Sequence, residues 1–193
     1  MTTWHWVRHG PTHEKTFVGW RDVPADLSDA ARLARLTGFL PDTALIVSSD
    51  LSRSITTADA LEAPRRHRLP HRHDLRELHF GDWDGKHFTE IERTHPELSR
   101  TYWESPGDVA APGGESWNEA AARVSAAVDA LNSRHPDAHI IAVAHFGVIL
   151  TQVQRALGVS ATEAMAHKID NLSVTELHHR AGTWQVQRIN HLP

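Results

Sequence analysis

Cysteine is absent from the 193 residues. Its absence excludes disulfides, thiolate nucleophiles and cysteine-based zinc sites, so covalent catalysis has to run through Ser, Thr, His, Lys or a carboxylate. Also missing is any apolar run near the ~20 residues of a membrane span. Nor does the N-terminus carry a charged region followed by an apolar signal core, so cytoplasm is the expected location and no membrane is expected as a partner. An excess of positive charge is lacking too. The formal net charge is −4, and the basic residues, nearly all Arg, are scattered rather than clustered. That balance argues against nucleic acid as a partner. Charged residues make up 23% and the hydrophobic set 40%, the composition of a globular protein able to bury a core. Histidine is abundant at 16 residues, so position alone can promote one of them to a function.

Hydrophobic patterning orders the chain. TTWHWV at 2–7 and ALIVS at 44–48 read as short buried strands. Between them Leu33, Leu36, Phe39 and Leu40 recur at helical spacing over 28–39. Asp50 is the expected N-cap of a second helix carrying Leu51, Ile55, Ala58 and Leu61 on one face. HRLPH at 67–71 is a further short strand that Pro70 confines to an edge or an end. From Leu75 to about Gly114, glycines, prolines and spread aromatics predict a partly helical lobe lying over the sheet. Ser116-Trp117-Asn118-Glu119 is a capping box for the clearest helix in the chain. HIIAVA is the next strand, Val148 to Leu157 a helix stopped at Gly158, and Ser160 to Glu163 a second capping box. SVTELHH and TWQVQRI, separated by Arg180-Ala181-Gly182, predict a closing hairpin. The order implies an α/β fold: three α/β/α layers on a mostly parallel central sheet. Residues 1–193 form one domain in this reading, with a cap-like insertion at about 75–114.

Two predicted strands run straight into a histidine: TTWHWV into Arg8-His9-Gly10, and HIIAVA into His145-Phe146-Gly147. Ligands in open parallel sheets sit at the carboxyl ends of strands. Charge after the apolar core of a central strand is costly unless paired or liganded. Arg53 falls in the first turn of its helix, where the dipole disfavours a cation and a bound anion would reverse that penalty. Glu77, flanked by Leu75 and Leu78 and beside aromatics, should feel a desolvation that raises its pKa and suits proton donation. From the residues alone each has a plain alternative: a turn former, a screened arginine, a buried imidazole, a surface glutamate.

Taken together these segments resemble the histidine phosphatase superfamily, branch 1, the phosphoglycerate mutase-like group. The resemblance rests on VRHGPT at 7–12, SSDLSRSITTA at 48–58, RELHFGDWDG at 76–85, PGGES at 112–116, VAHFGV at 143–148 and DNLSVTEL at 170–177. It implies that His9 is a nucleophile accepting a phosphoryl group, that Arg8, Arg53 and His145 hold its oxygens, and that Glu77 is general acid and then base. Thr12 is placed near the phosphate. Lys15 stands where relatives commonly carry an Asn, and could itself bind the anion. No metal and no cofactor is implied.

ELHFGDWDG followed by PGGES is similar to α-ribazole phosphatases and broad-specificity small phosphatases, whereas Phe17 to Asp22 is similar to a mutase segment. The expected activity is hydrolysis of a small-molecule phosphate monoester by a histidine acid phosphatase-type enzyme. Mutase-type phosphoryl transfer and a catalytically idle phosphoester-binding module are the alternatives. A metal-dependent hydrolase built on His71, His73, His178 and His179 is a further rival, weakened because His178 and His179 should point to opposite faces of a strand. A homodimer is left open.

Overall fold

The computed structural model describes residues 1–193. Its centre is a six-stranded sheet: β1 (Thr2–Arg8), β2 (Ala44–Ser48), β3 (Arg66–Arg68), β4 (His139–Ala144), β5 (Val174–Arg180) and β6 (Thr183–His191), in the order β3-β2-β4-β1-β5-β6. The four strands from β3 to β1 are parallel; on the other side of β1, β5 pairs antiparallel with it and β6 antiparallel with β5. The α/β class and the mostly parallel sheet read from the sequence are what the structure has. Pro70 stops β3 early, so this edge strand covers three residues rather than reaching residue 71.

Helices α1 (Ala30–Phe39) and α2 (Ser52–Asp59) cover one face, packing Leu36, Leu40, Ala58 and Leu61 on Val7, Ile46, Ile141 and Val143. The opposite face takes the short α3 (Phe88–Thr94), α4 (Pro96–Glu104), α5 (Trp117–Arg134), α6 (Phe146–Leu157) and α7 (Ala161–Met165). Trp4 and Trp6 stack at 5.1 Å on that side within the larger core. Alternation along β1 thus sends Arg8 toward the Trp face and Val7 toward α1 and α2.

Local signals explain most boundaries. Both predicted capping boxes form, at Ser116 with Glu119 and at Ser160 with Glu163. Gly158 ends α6 in the left-handed region at φ 67°. The hairpin turn is only two residues, Ala181 (φ 49°) and Gly182 (φ 80°), because Arg180 already pairs with Thr183 in the ladder.

Asp29 caps α1 by accepting from the Arg32 amide at 2.9 Å. One cap differs from expectation. Asp50 does not cap α2, because Arg76 takes its carboxylate through two bonds of 2.6 and 2.9 Å. Asp22 does the capping instead, accepting from the Ser52 amide (2.8 Å) and hydroxyl (2.7 Å). The segment 75–114 does carry helix, as α3 and α4 plus a 3-10 turn at Gly81–Trp83. No helix is long and apolar enough to cross a membrane.

Candidate active site

Register brings the two histidines together. Arg8 pairs with Ala144 across parallel strands β1 and β4, and the His9 amide donates to the Ala144 carbonyl at 3.1 Å. The next residue of each strand is therefore a neighbour of the other, and the His9 and His145 rings lie 5.1 Å apart. Strand β2 sits beyond β4, so Ser49 and the start of α2 arrive beside His145. All four central groups are buried: His9 is 6% exposed, Arg53 1%, Glu77 7% and His145 0%.

Hydrogen bonds fix the proton positions. His9 Nδ1 lies 2.7 Å from the Gly10 carbonyl, which can only accept, so Nδ1 carries the proton and Nε2 keeps its lone pair. Arg53 Nε donates to His145 Nδ1 at 3.3 Å. His145 therefore holds its proton on Nε2 and donates toward Ser49 Oγ (2.8 Å), with Ser54 Oγ at 3.2 Å. Burial first, then the Arg53 charge, lowers the His9 pKa to about 3 from the ordinary 6.5, opposed by the bond to the Gly10 carbonyl and helped last by Arg8. Burial, with Arg53, His9 and Arg8 after it, likewise keeps His145 well below its ordinary value.

The guanidinium groups are anchored by carbonyls rather than carboxylates. Arg53 Nη1 donates to the Arg21 carbonyl (3.0 Å) and Nη2 to the Gly19 carbonyl (2.6 Å), which leaves two of its five N–H groups free. Arg8 Nη1 donates to the Ile169 carbonyl at 2.7 Å, while its Nε is buried without a partner. Two cations without direct carboxylate partners, each with spare donors, favour an anion between them.

Glu77 sits where helix α6 begins. Its Oε1 accepts from the Leu78 amide and from the Gly147 amide, each at 3.0 Å. Burial raises its pKa, offset in part by those amides and by Arg53 and Arg8. A Cβ at 147 would meet Glu77 Oε1 at 2.7 Å and Leu78 Cδ1 at 2.4 Å, so a larger residue there displaces the acid's side chain. The Glu77 carbonyl accepts from Trp20 Nε1 at 2.7 Å and from Arg123 at 3.3 Å, and Arg123 also pairs with Glu115. The acid is thereby fixed to α5 and to the loop after β1.

A cavity of about 290 Å³ opens above these groups. Arg8, His9, Thr12 and Glu77 line it. Arg53 and His145 do not form its wall; the His145 ring lies 5.1 Å from that of His9, and Arg53 bonds His145. Lys15 is exposed and outside the cavity, so the structure does not bring it to the others. A larger cleft beside Arg72, His73 and Arg134 holds none of the groups described here. No cluster of three or more His, Asp or Glu side chains is arranged to hold a metal ion. His178 instead bonds Glu176 at 2.8 Å, and His179 packs on Trp184.

Sequence reasoning passed over four supporting residues: Ser49, Ser54, Thr57 and Asn171. The Thr57 hydroxyl accepts from the Gly10 amide at 3.0 Å and donates to the Arg53 carbonyl at 2.7 Å. Asn171 donates to the His9 carbonyl at 2.8 Å. Thr57 follows Arg53 by four residues, one helical turn on the same face, and that spacing was the available signal.

Comparison with known proteins gives the family. A family model described as histidine phosphatase superfamily (branch 1) matches residues 5–192. The chain belongs to that superfamily. Among curated proteins it is 30% identical over 190 residues to a metal-independent phosphoserine phosphatase of Arabidopsis thaliana, covering 92% of this chain and 76% of that one. It is 33% identical over 159 residues to phosphoglycerate mutase-like protein 4 of the same plant, covering 78% and 69%. Among solved structures, Bacillus stearothermophilus YhfR superposes with a TM-score of 0.91 at 26% identity, covering 100% of this chain and 98% of that one. A mycobacterial glucosyl-3-phosphoglycerate phosphatase superposes with a TM-score of 0.83 at 26% identity, covering 98% of each. The phosphatase class implied by the sequence motifs is the class these comparisons support.

Proposed function

We propose that the protein hydrolyses a small-molecule phosphate monoester in two in-line steps through a phosphohistidine on His9. His9 Nε2 attacks phosphorus and the ester P–O bond breaks. Glu77, entering as the carboxylic acid, gives its proton to the leaving alkoxide. The resulting Glu77 carboxylate then takes a proton from water, whose oxygen attacks phosphorus. The N–P bond breaks, orthophosphate leaves, and both side chains return to their starting states. Arg8 and Thr12, on the cavity wall, hold the phosphoryl oxygens, Arg53 adds positive charge against that of the transition state, and His145, with both ring nitrogens engaged, orients Arg53.

One observation carries the reading: His9, with a bare Nε2 and a pKa held near 3, lines the same cavity as a buried acid of raised pKa. His9 is neutral, as attack requires, and burial shifts Glu77 toward the acid form that the first step uses. The chemistry needs positive charge and in-line positioning, which two arginines and a walled cavity supply.

Orthophosphate release from a panel of metabolite monoesters tests the proposal. Release by the native protein and its loss in His9→Ala is the expected result. Transfer to a second substrate hydroxyl without orthophosphate would favour the mutase reading. An intact panel between pH 5 and 8 would favour an idle binding module. The cytoplasmic location belongs to the same proposal and is read by cell fractionation, and self-association by sedimentation.

A further inference from the structure

The cavity wall beyond the phosphoryl position is apolar and aromatic. Phe17 stacks on Trp103 with centroids 5.5 Å apart and planes 13° from parallel, and Phe80 tilts against Phe17 at 5.2 Å. Phe146, under the Arg8 guanidinium at 5.5 Å, and Met165 extend this surface. Arg8 is the only cationic side chain on the wall, and its place is at the phosphoryl end. The ionised side chain farther out is Glu14, whose charge Arg21 answers from outside the cavity at 3.1 Å. A substrate carboxylate or second phosphate would enter a compact, largely hydrophobic space with no cation of its own and a carboxylate on the rim. Desolvating such a charge without a partner is unfavourable, whereas an apolar ring gains by burial.

We infer that the preferred substrate has an uncharged leaving alcohol bearing a flat apolar ring, and that acidic monoesters such as phosphoglycerates and phosphoserine are disfavoured. The inference rests on the proposed phosphatase reading and adds the chemical class of the leaving group. Trp103, Phe17 and Phe80 would flank the ring, and offset aromatic packing adds to the burial. Glu14 acts as a selectivity group that repels an acidic leaving group.

The test compares esters of aliphatic primary alcohols, so that leaving-group basicity does not confound ring preference. Turnover of 2-naphthylmethyl phosphate is set against 3-phosphoglycerate, O-phosphoserine and glycerol 1-phosphate. The expected kcat/KM is about tenfold or more higher for the naphthylmethyl ester than for either acidic ester. Trp103→Ala should reduce that ratio mainly through KM, with Trp103→Phe restoring part of it. Glu14→Gln should raise kcat/KM for the acidic esters relative to glycerol 1-phosphate. Equal or better turnover of the acidic esters overturns the inference and leaves the phosphatase reading standing.

If no ester is cleaved, the phosphatase reading fails, and calorimetric binding of the inert 2-naphthylmethylphosphonate and the phosphonate analogue of 3-phosphoglycerate decides the cavity's preference. Tighter binding of the naphthyl compound then upholds the ring preference. Tighter binding of the acidic one rejects it.

Discussion

The backbone amide of Gly147 donates to the Glu77 carboxylate, at 3.0 Å to Oε1 and 3.3 Å to Oε2. An acid from one loop thus rests on the first turn of the helix that follows the second active-site histidine. Gly147→Ala would drive a methyl group into that contact. Its expected effect is a fall in kcat of about 10- to 100-fold from displacement of the acid, with the fold retained. Steady-state kinetics with a thermal melt read both, and an unchanged kcat would contradict the placement of Glu77.

Glu77→Gln keeps the size and removes the proton. Because burial raises the Glu77 pKa, its acid form persists to higher pH than an ordinary carboxyl, and activity should decline as pH rises through that value. The variant should lose turnover of alkyl esters far more than of p-nitrophenyl phosphate, whose leaving group needs little protonation. It should also lose the alkaline limb of kcat/KM. Equal losses for both ester types would remove Glu77 from its assigned role.

His9 and His145 make stability depend on pH. Both have folded pKa values below the unfolded 6.5, so below that pH the unfolded chain binds protons that the folded one refuses. Stability is fully present above about 6.5 and is lost as pH falls toward about 3. Between pH 7 and 5, His9→Asn should lose about 1–2 kcal/mol less than the native protein in urea melts. Parallel losses would show that His9 is not held neutral by the fold.

Arg66 illustrates a purely structural use of the same side chain. Its guanidinium donates to the carbonyls of Pro41 (2.9 Å), Leu61 (2.8 Å), Thr37 (2.8 Å) and Leu40 (2.9 Å). Arg66→Ala strands these acceptors behind α1 and α2 and should cost about 2–4 kcal/mol, leaving kcat unchanged for the folded fraction. Arg66→Lys should recover little, since an ammonium cannot span the fork. Denaturant midpoints and kcat check both statements.

Particular residues show what the sequence could and could not disclose. The capping boxes at Ser116 and Ser160 and the strands ending in His9 and His145 were legible, because caps and apolar runs are local. The pairing of Arg8 with Ala144, which sets the two imidazoles side by side, was foreshadowed only by the repeated strand-histidine context. Asp50 misled as a cap, since its partner Arg76 lies 26 residues away and competes from outside the helix. Ser49, Ser54 and Asn171 act through tertiary bonds that no periodicity announces. Lys15 shows the converse: a candidate at a position where the residue departs from the motif, and it is exposed.

Trapping of the covalent intermediate tests the central claim most directly. Enzyme mixed with excess substrate and quenched in alkali, which preserves phosphohistidine, should yield one phosphorylated peptide containing His9, with the phosphoryl group on Nε2 by phosphorus NMR. A phosphoryl group on any other residue, or undiminished turnover in His9→Ala, would contradict the account.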